Sequence, residues 1–483
     1  ELSIEGYSGS PSINLFRAYD SGTGYLIDTN AAAAQFTRQY LGEQLIMDYG
    51  QKVATVSAGS SYAIPLDLIN GGLSFDHFLF EGAGRGTGRL VLTIYKDETM
   101  LAQAYAYIDL RGIKEMYEQA LVTNVQPEWP EMVEENRVSG FQLHRVPDPG
   151  LAEAKEVAVF VHGWRMPNWE YFNFSETMFK RLYWQGYQGR FAALRWPTRS
   201  GDTDPFFGLD YATYNRSEHI AFKSGTGTAT YLINLRQRFP DHTISVCAHS
   251  MGNIVMMQAL KELAAASQAP IDNYVLMQAA VPAQCYDTTM TNLPSLMAAE
   301  QMAPTPNTYN NYASGITDAL RGDGQIVNFF NPDDFALVTG VLGGLGSWEH
   351  NQRLYLDDTN GPVTMKPNTL LGYYTDGANS LLRTNHWNQQ LAAVLYGGYY
   401  GSHVTRAVTS NHEIMPFVAR SRSKAVGAQA GVAGQLTGNQ VNLGTPSYKF
   451  TNKDYDHSGQ FHRNIQEQPV WPFYTILRSC LFP

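Results

Sequence analysis

Along the first 125 residues the apolar positions fall in short runs, such as 89–95 and 102–110, where β-branched and aromatic residues partly alternate with polar ones. A period of two sends successive side chains to opposite faces of a sheet, so these runs predict strands, and the polar 96–99 between them predicts a hairpin connection. Residues 31–45 predict one helix inside this stretch. The string Gly82, Gly84, Gly86 and Gly88 leads into a strand rather than a helix. It therefore matches neither glycine-rich nucleotide template and reads as turn chemistry.

Residues 126–150 turn rich in proline and glutamate and end in Pro147-Asp148-Pro149-Gly150, which predicts a linker between a β-rich, sandwich-like module at 1–125 and a second domain at 151–483. Beyond it the rhythm changes. Short, mainly apolar runs at 157–161, 191–196, 243–247, 274–278 and 325–330 alternate with helical stretches at 169–184, 217–239 and 252–266. Short apolar runs that alternate with helices belong to a sheet covered on both faces, so the expected architecture is α/β, a doubly wound, mostly parallel sheet. There is no fixed-period repeat.

Composition narrows the class. Of 483 residues, 44% are hydrophobic and 16% charged, which excludes a disordered chain. The net charge of −10 and the absence of a long basic run leave nothing to neutralise phosphates, so no nucleic-acid partner is expected. Cys247, Cys285 and Cys480 are widely spaced and odd in number, which argues against a disulfide framework or a structural zinc site. No apolar run reaches the ~18 residues of a membrane helix, so no transmembrane segment is expected. The chain starts at Glu1 without a charged-then-apolar leader, as a processed or truncated chain would. The aromatic content of 12% with little charge suits an extracellular, periplasmic or cell-surface location, with surface or carbohydrate association through the β-rich module.

The chemistry is concentrated at Ala248-His249-Ser250-Met251-Gly252, which lies between the apolar run 243–247 and a helix starting near Gly252. Strand, sharp turn and helix form the setting of a nucleophile elbow, where small flanking residues let the chain fold back tightly. The turn exposes the Ser250 hydroxyl and aims the Met251 N–H, at a helix N-terminus, toward a developing oxyanion. A second donor is expected from the glycine-containing turn His162-Gly163-Trp164 after the run 157–161, through the Trp164 N–H. His162 itself reads as a hydrogen bonder that fixes this turn.

Together, residues 159–164, Arg195-Trp196-Pro197-Thr198 and 247–253 resemble the α/β-hydrolase superfamily, closest to bacterial serine hydrolases with HGW, W-P-S/T and A-H-S-M-G-N motifs. The resemblance covers about 157–337 and the C-terminal helix. It implies a lipase- or esterase-like triad in the order serine, acid, histidine, with no metal or organic cofactor. The acid should follow a strand downstream of the elbow, and 325–330 runs into Asn331-Pro332-Asp333-Asp334. Asp334 matches the family's Asp-x-Ala-Leu pattern; Asp333 is the alternative, with either aspartate also suited to cap a helix. The base should come last. His457, after the strand-like 447–451 and before a closing helix, resembles the family's C-terminal histidine motif, with His412 the alternative and His462 expected on a helix face.

Two further regions are expected to shape the substrate. Residues 198–214 carry Asp202 and Asp204 among aromatics, but no complete calcium-loop template follows, so no metal is assigned. The insertion at about 340–444 holds the apolar 340–346, several tyrosines, the basic cluster Arg420, Arg422 and Lys424, and a glycine- and glutamine-rich linker at 427–444. An excursion of that length suits a lid or binding wall. The expected function is hydrolysis of a carboxylic ester, of a small molecule, lipid or polymer, through an acyl-enzyme on Ser250. A catalytically quiet hydrolase-fold surface protein is the alternative, and an amidase, thioesterase or peptidase would use the same machinery.

Overall fold

The computed structural model describes residues 1–17, 52–65, 78–123, 138–147, 154–166, 168–198, 211–281, 286, 315–334, 337, 426–428, 436, 438, 440–451, 456–462 and 470–483. In chain order the strands and helices are β1 (Leu2–Arg17), β2 (Lys52–Ser57), β3 (Ser61–Tyr62), β4 (Phe78–Lys96), β5 (Thr99–Leu110), β6 (Glu118–Leu121), β7 (Gln142–Arg145), β8 (Glu156–Val161), α1 (Asn168–Trp184), β9 (Arg190–Arg195), α2 (Tyr211–Arg238), β10 (Thr243–His249), α3 (Gly252–Ala265), β11 (Asn273–Met277), β12 (Ile326–Phe330), β13 (Val441–Asn442) and α4 (Val470–Leu481). Among the described residues no helix is long and apolar enough to cross a membrane. The expected helix at 31–45 lies outside the described residues.

β1 to β5 form one antiparallel sheet in the order β2-β1-β4-β5, with β3 beside β1. Its buried positions are even-numbered at first, Leu2 and Ile4, and odd-numbered later, Ile13 and Leu15. Three register shifts between β1 and β4 separate the two sets, because each extra residue in a bulge flips the pleat. The glycine string belongs to this crossing rather than to a turn. A Cβ on Gly84 would stand 2.6 Å from the Ser10 carbonyl oxygen, so the glycines let the bulged β1 lie close against β4. The expected hairpin at 96–99 is present, with Lys96 opposite Thr99 and Asp97 at a φ of 54°.

Among the described residues the second sheet has eight strands in the order β13-β12-β11-β10-β8-β9-β6-β7, parallel throughout except for β7 against β6. Its middle strands carry no alternation because both faces are covered. Val157, Val159 and Val161 join the core under α2 and α3, whereas Ala158 and Phe160 join the core under α1 and α4. Each such aliphatic or aromatic side chain contributes roughly 1.5–3 kcal/mol on full burial.

The strand pairing moves two expected boundaries. Glu118–Leu121, expected with the β-rich module, pairs with β9, and Gln142–Arg145, expected as linker, pairs with β6. Buried apolar residues and an ion pair accompany this placement. The buried Glu118 accepts from both Arg238 terminal nitrogens at 2.7 Å and from the Tyr231 hydroxyl at 2.8 Å, so β6 is fastened to α2. A four-residue strand held by an ion pair leaves no hydrophobic period to read. At the other end, Val426–Ala428 and Val441–Asn442, expected inside an insertion and linker, complete the sheet region. Val426 N–H donates to Val281 O, Gly427 N–H to Ala279 O, and β13 pairs with β12. The strand-like 447–451 is instead a turn and coil segment.

Chain order and sheet order part company at β8. From β8 the chain winds to β9 on one side and then returns through α2 to β10 on the other. Such a reversal opens a crevice beyond the carboxyl ends of the strands, where open α/β sheets bind ligands.

Candidate active site

Ser250 follows β10 at this reversal and takes a φ of 51°, a conformation costing a non-glycine residue roughly 1–3 kcal/mol. The surroundings hold it there. Ser250 N–H donates to Met277 O at 3.0 Å, and Ala280 N–H donates to Ser250 O at 3.2 Å. Asn253 Nδ2 donates to both Ala248 O and Ser250 O at 2.9 Å, and the Tyr274 hydroxyl fixes Asn253 Oδ1 from behind at 2.7 Å. Two glycines make the fold-back fit. A Cβ on Gly252 would lie 2.3 Å from His162 O, and one on Gly163 would lie 3.0 Å from Ser250 Cβ. The elbow and the turn after β8 are thus in van der Waals contact.

That turn is fastened by the Arg-Trp-Pro-Thr segment. The Trp196 indole stacks on His162 with centroids 5.5 Å apart and donates through Nε1 to His162 O at 2.8 Å. His162 Nδ1 donates to Gly163 O, and Nε2 accepts from Trp196 N–H. Burial pushes the His162 imidazole down to about 3, so it is the neutral turn-fixing group. Arg165, at a φ of 61°, donates its N–H to Thr198 Oγ1 at 3.0 Å. Trp164 is half-buried between these anchored neighbours, and Met251 is the N-cap of α3, where the first backbone N–H groups have no partner inside the helix.

Asp334 and His457 meet across 123 positions of chain, with His457 Nδ1 2.8 Å from Asp334 Oδ2. Asp334 is fully buried, and its carboxylate takes two more donors, Gln278 Nε2 on Oδ2 at 2.8 Å and Leu337 N–H on Oδ1 at 3.1 Å. Asp333 is separated from this pair. Its N–H closes a turn onto Asn331 Oδ1, and its exposed carboxylate pairs with Lys449 at 2.7 Å. His412, Asp202 and Asp204 lie outside the described residues. His462 follows a short 3-10 helix, Gly459–Phe461, rather than sitting on a helix face. Its ring packs edge-on to Phe174, and burial, then Arg181, pushes it down to about 4.

Three side chains that the motif reading left without a role bind the parts together. His249 Nε2 donates to His457 O at 2.7 Å, and its ring packs 4.8 Å from that of His457. Burial, then His457, holds the His249 imidazole well below its ordinary value, so it is a neutral donor. Gln278 reaches the acid and the loop of the histidine, and Asn253 stitches the elbow. Asn253 and His249 stand inside the quoted motif. Gln278 carries no sequence signal beyond closing an apolar run. Among the described residues no group of three or more His, Cys, Asp or Glu side chains has the geometry to hold a metal ion.

This sheet order, with a strained serine at its reversal point, is that of the α/β-hydrolase fold. Residues 150–308 match the family described as "Alpha/beta hydrolase of unknown function (DUF900)". No curated protein matches the chain. Two similar solved structures are an esterase/lipase from an uncultured bacterium, 12% identical, and an EstE5-PMSF structure, 14% identical, each with a TM-score of 0.20 over 40% of this chain. The chain spans about 60% of the length of each of those structures.

Proposed function

We propose that the protein is a serine hydrolase of carboxylic esters that works through an acyl-enzyme on Ser250, with His457 as base and Asp334 as its partner. The observation that carries this reading is the 2.8 Å contact between His457 Nδ1 and the buried Asp334, with His457 O held by the residue next to Ser250. Because Nδ1 is committed to Asp334, Nε2 is the nitrogen left to take the Ser250 proton as Oγ attacks the acyl carbon. The oxygen that becomes negative is met by the backbone N–H groups of Trp164 and Met251, each such donor worth about 3 kcal/mol in the transition state. Collapse breaks the ester C–O bond, and the departing alkoxide takes the proton from His457. Water, deprotonated by the same nitrogen, then attacks the acyl carbon and frees Ser250 with release of the carboxylate. The apolar residues 340–346, close in sequence to the acid, favour an acyl or aromatic group in the substrate.

Labelling with a fluorophosphonate probe tests this. Wild type is expected to be modified, Ser250→Ala not at all, and His457→Ala far more slowly. Labelling that persists in Ser250→Ala, or that depends on His412 rather than His457, would refute the assignment. An unlabelled wild type would favour a quiet scaffold. A series of p-nitrophenyl esters of rising acyl length then separates esterase from lipase.

A further inference from the structure

Resting on the reading of Ser250, His457 and Asp334 above, we infer that Gln278 is the positioning residue of this site, its carboxamide setting the acid and the loop of the base in register. Gln278 sits one residue beyond β11, fully buried, at a φ of 45°. Its Nε2 donates to Asp334 Oδ2 at 2.8 Å and also to Asp456 O, the carbonyl just before His457. Its Oε1 accepts from Gln460 Nε2 at 2.8 Å. The amide has one satisfactory orientation. Turned over, its oxygen would face a carboxylate and a carbonyl, both acceptors, and its NH2 would face another NH2.

The preceding residue completes the arrangement, since Met277 O accepts the Ser250 N–H at 3.0 Å. Two consecutive residues at the end of one strand therefore touch the backbone of the nucleophile, the side chain of the acid and the loop of the base. Asp334 Oδ2 receives Gln278 and His457 together, so the Gln278 bond fixes the direction in which that oxygen faces the imidazole. Without it the carboxylate can turn, and the Asp456–His457 peptide loses a tether. A misplacement of about 1 Å at such a site can cost on the order of a hundredfold in rate. Strain at a buried non-glycine residue is retained where the surroundings over-determine it, and here three side-chain bonds do so.

The test uses the full chain with Gln278→Glu and Gln278→Asn, following fluorophosphonate labelling rate from pH 5 to 9, kcat and KM on p-nitrophenyl acetate, and the melting curve. In the Gln278→Glu variant a neutral carboxyl can still donate an O–H to Asp334, whereas an ionised one faces a carboxylate and a carbonyl with acceptors only. That variant is therefore expected to label at nearly the wild-type rate at low pH and to fall away as pH rises, where wild type rises to a plateau. Asn tolerates the left-handed backbone but is one methylene short. The Gln278→Asn variant is expected to lose about tenfold in kcat with KM within about twofold and to melt near wild type. A Gln278→Glu profile parallel to wild type together with a Gln278→Asn variant at full rate would overturn the inference, as would loss of fold in both variants, which would make Gln278 purely structural. If wild type is not labelled, or Ser250→Ala is, the underlying reading fails and this inference with it. If labelling depends on Ser250 but ignores both Gln278 variants, the inference alone fails.

Discussion

The proposed nucleophile side, around Ser250, and the proposed acid–base side, at Asp334 and His457, are assembled in contrasting ways. Ser250 is held by groups from 248–253, by the strand end at Met277 and by a glycine turn lying against it, so most of its environment is one contiguous peptide. Asp334 and His457 come from loops 123 residues apart and are joined by side chains from elsewhere, His249 and Gln278, that donate to successive carbonyls of the histidine loop. Local geometry makes the first half rigid by steric necessity. The second half depends on a hydrogen-bond network whose members are mutually dependent.

The largest expected effect falls on the acid–base side. Asp334→Asn keeps the shape but offers an NH2 where the imidazole N–H must be received, and kcat for ester hydrolysis should drop by about 10⁴. A loss below tenfold would mean that Asp334 does not orient His457. On the nucleophile side the matching change is Gly252→Ala, whose methyl would strike His162 O at 2.3 Å. Overpacking of this kind should cost about 2–3 kcal/mol in a denaturation experiment, and an unchanged midpoint would contradict the tight fold-back.

The two sides also differ in how acid affects them. His462, packed behind the base loop, is pushed down to about 4 from an ordinary 6.5. In the unfolded chain it takes up a proton below 6.5, so its neutral burial contributes stability above that pH and loses it as pH falls toward 4, on the order of 2–3 kcal/mol in all. His462→Gln cannot titrate. The melting-temperature gap between wild type and this variant should therefore narrow from pH 7 to 4.5, and a constant gap would rule the account out. The smallest effect is expected at Asp333→Asn, where an exposed ion pair is lost and ester turnover should stay within about twofold of wild type. A large fall there would return Asp333 to candidacy.

Much of this was legible in the order of residues. The short apolar runs between helical stretches announced strands of a covered sheet, and the helix Gly252–Ala265 fell within the expected stretch 252–266. What stayed hidden lacked a period. β6, four residues joined to α2 by the Glu118–Arg238 pair, and β13, two residues completing the sheet edge, are too short to repeat anything, so their pairing with the second sheet leaves no period to read. The glycines of β4 looked like a turn because their reason is a neighbouring strand pressed against them, which is invisible along the chain.

The same division holds at the crevice. Short-range sterics are written in contiguous residues, so the elbow around Ser250 and the glycine turn after β8 can be recognised from a handful of letters. Which of two adjacent aspartates faces inward is a different matter, because neighbours in sequence share composition and differ only in direction. Folding turns Asp334 into the core and Asp333 out to Lys449. It also recruits Gln278, an ordinary residue at the end of an apolar run, to a carboxylate 56 positions away. Hydrogen bonds between distant loops leave no spacing rule behind them, and only the packed chain decides which donors reach the acid.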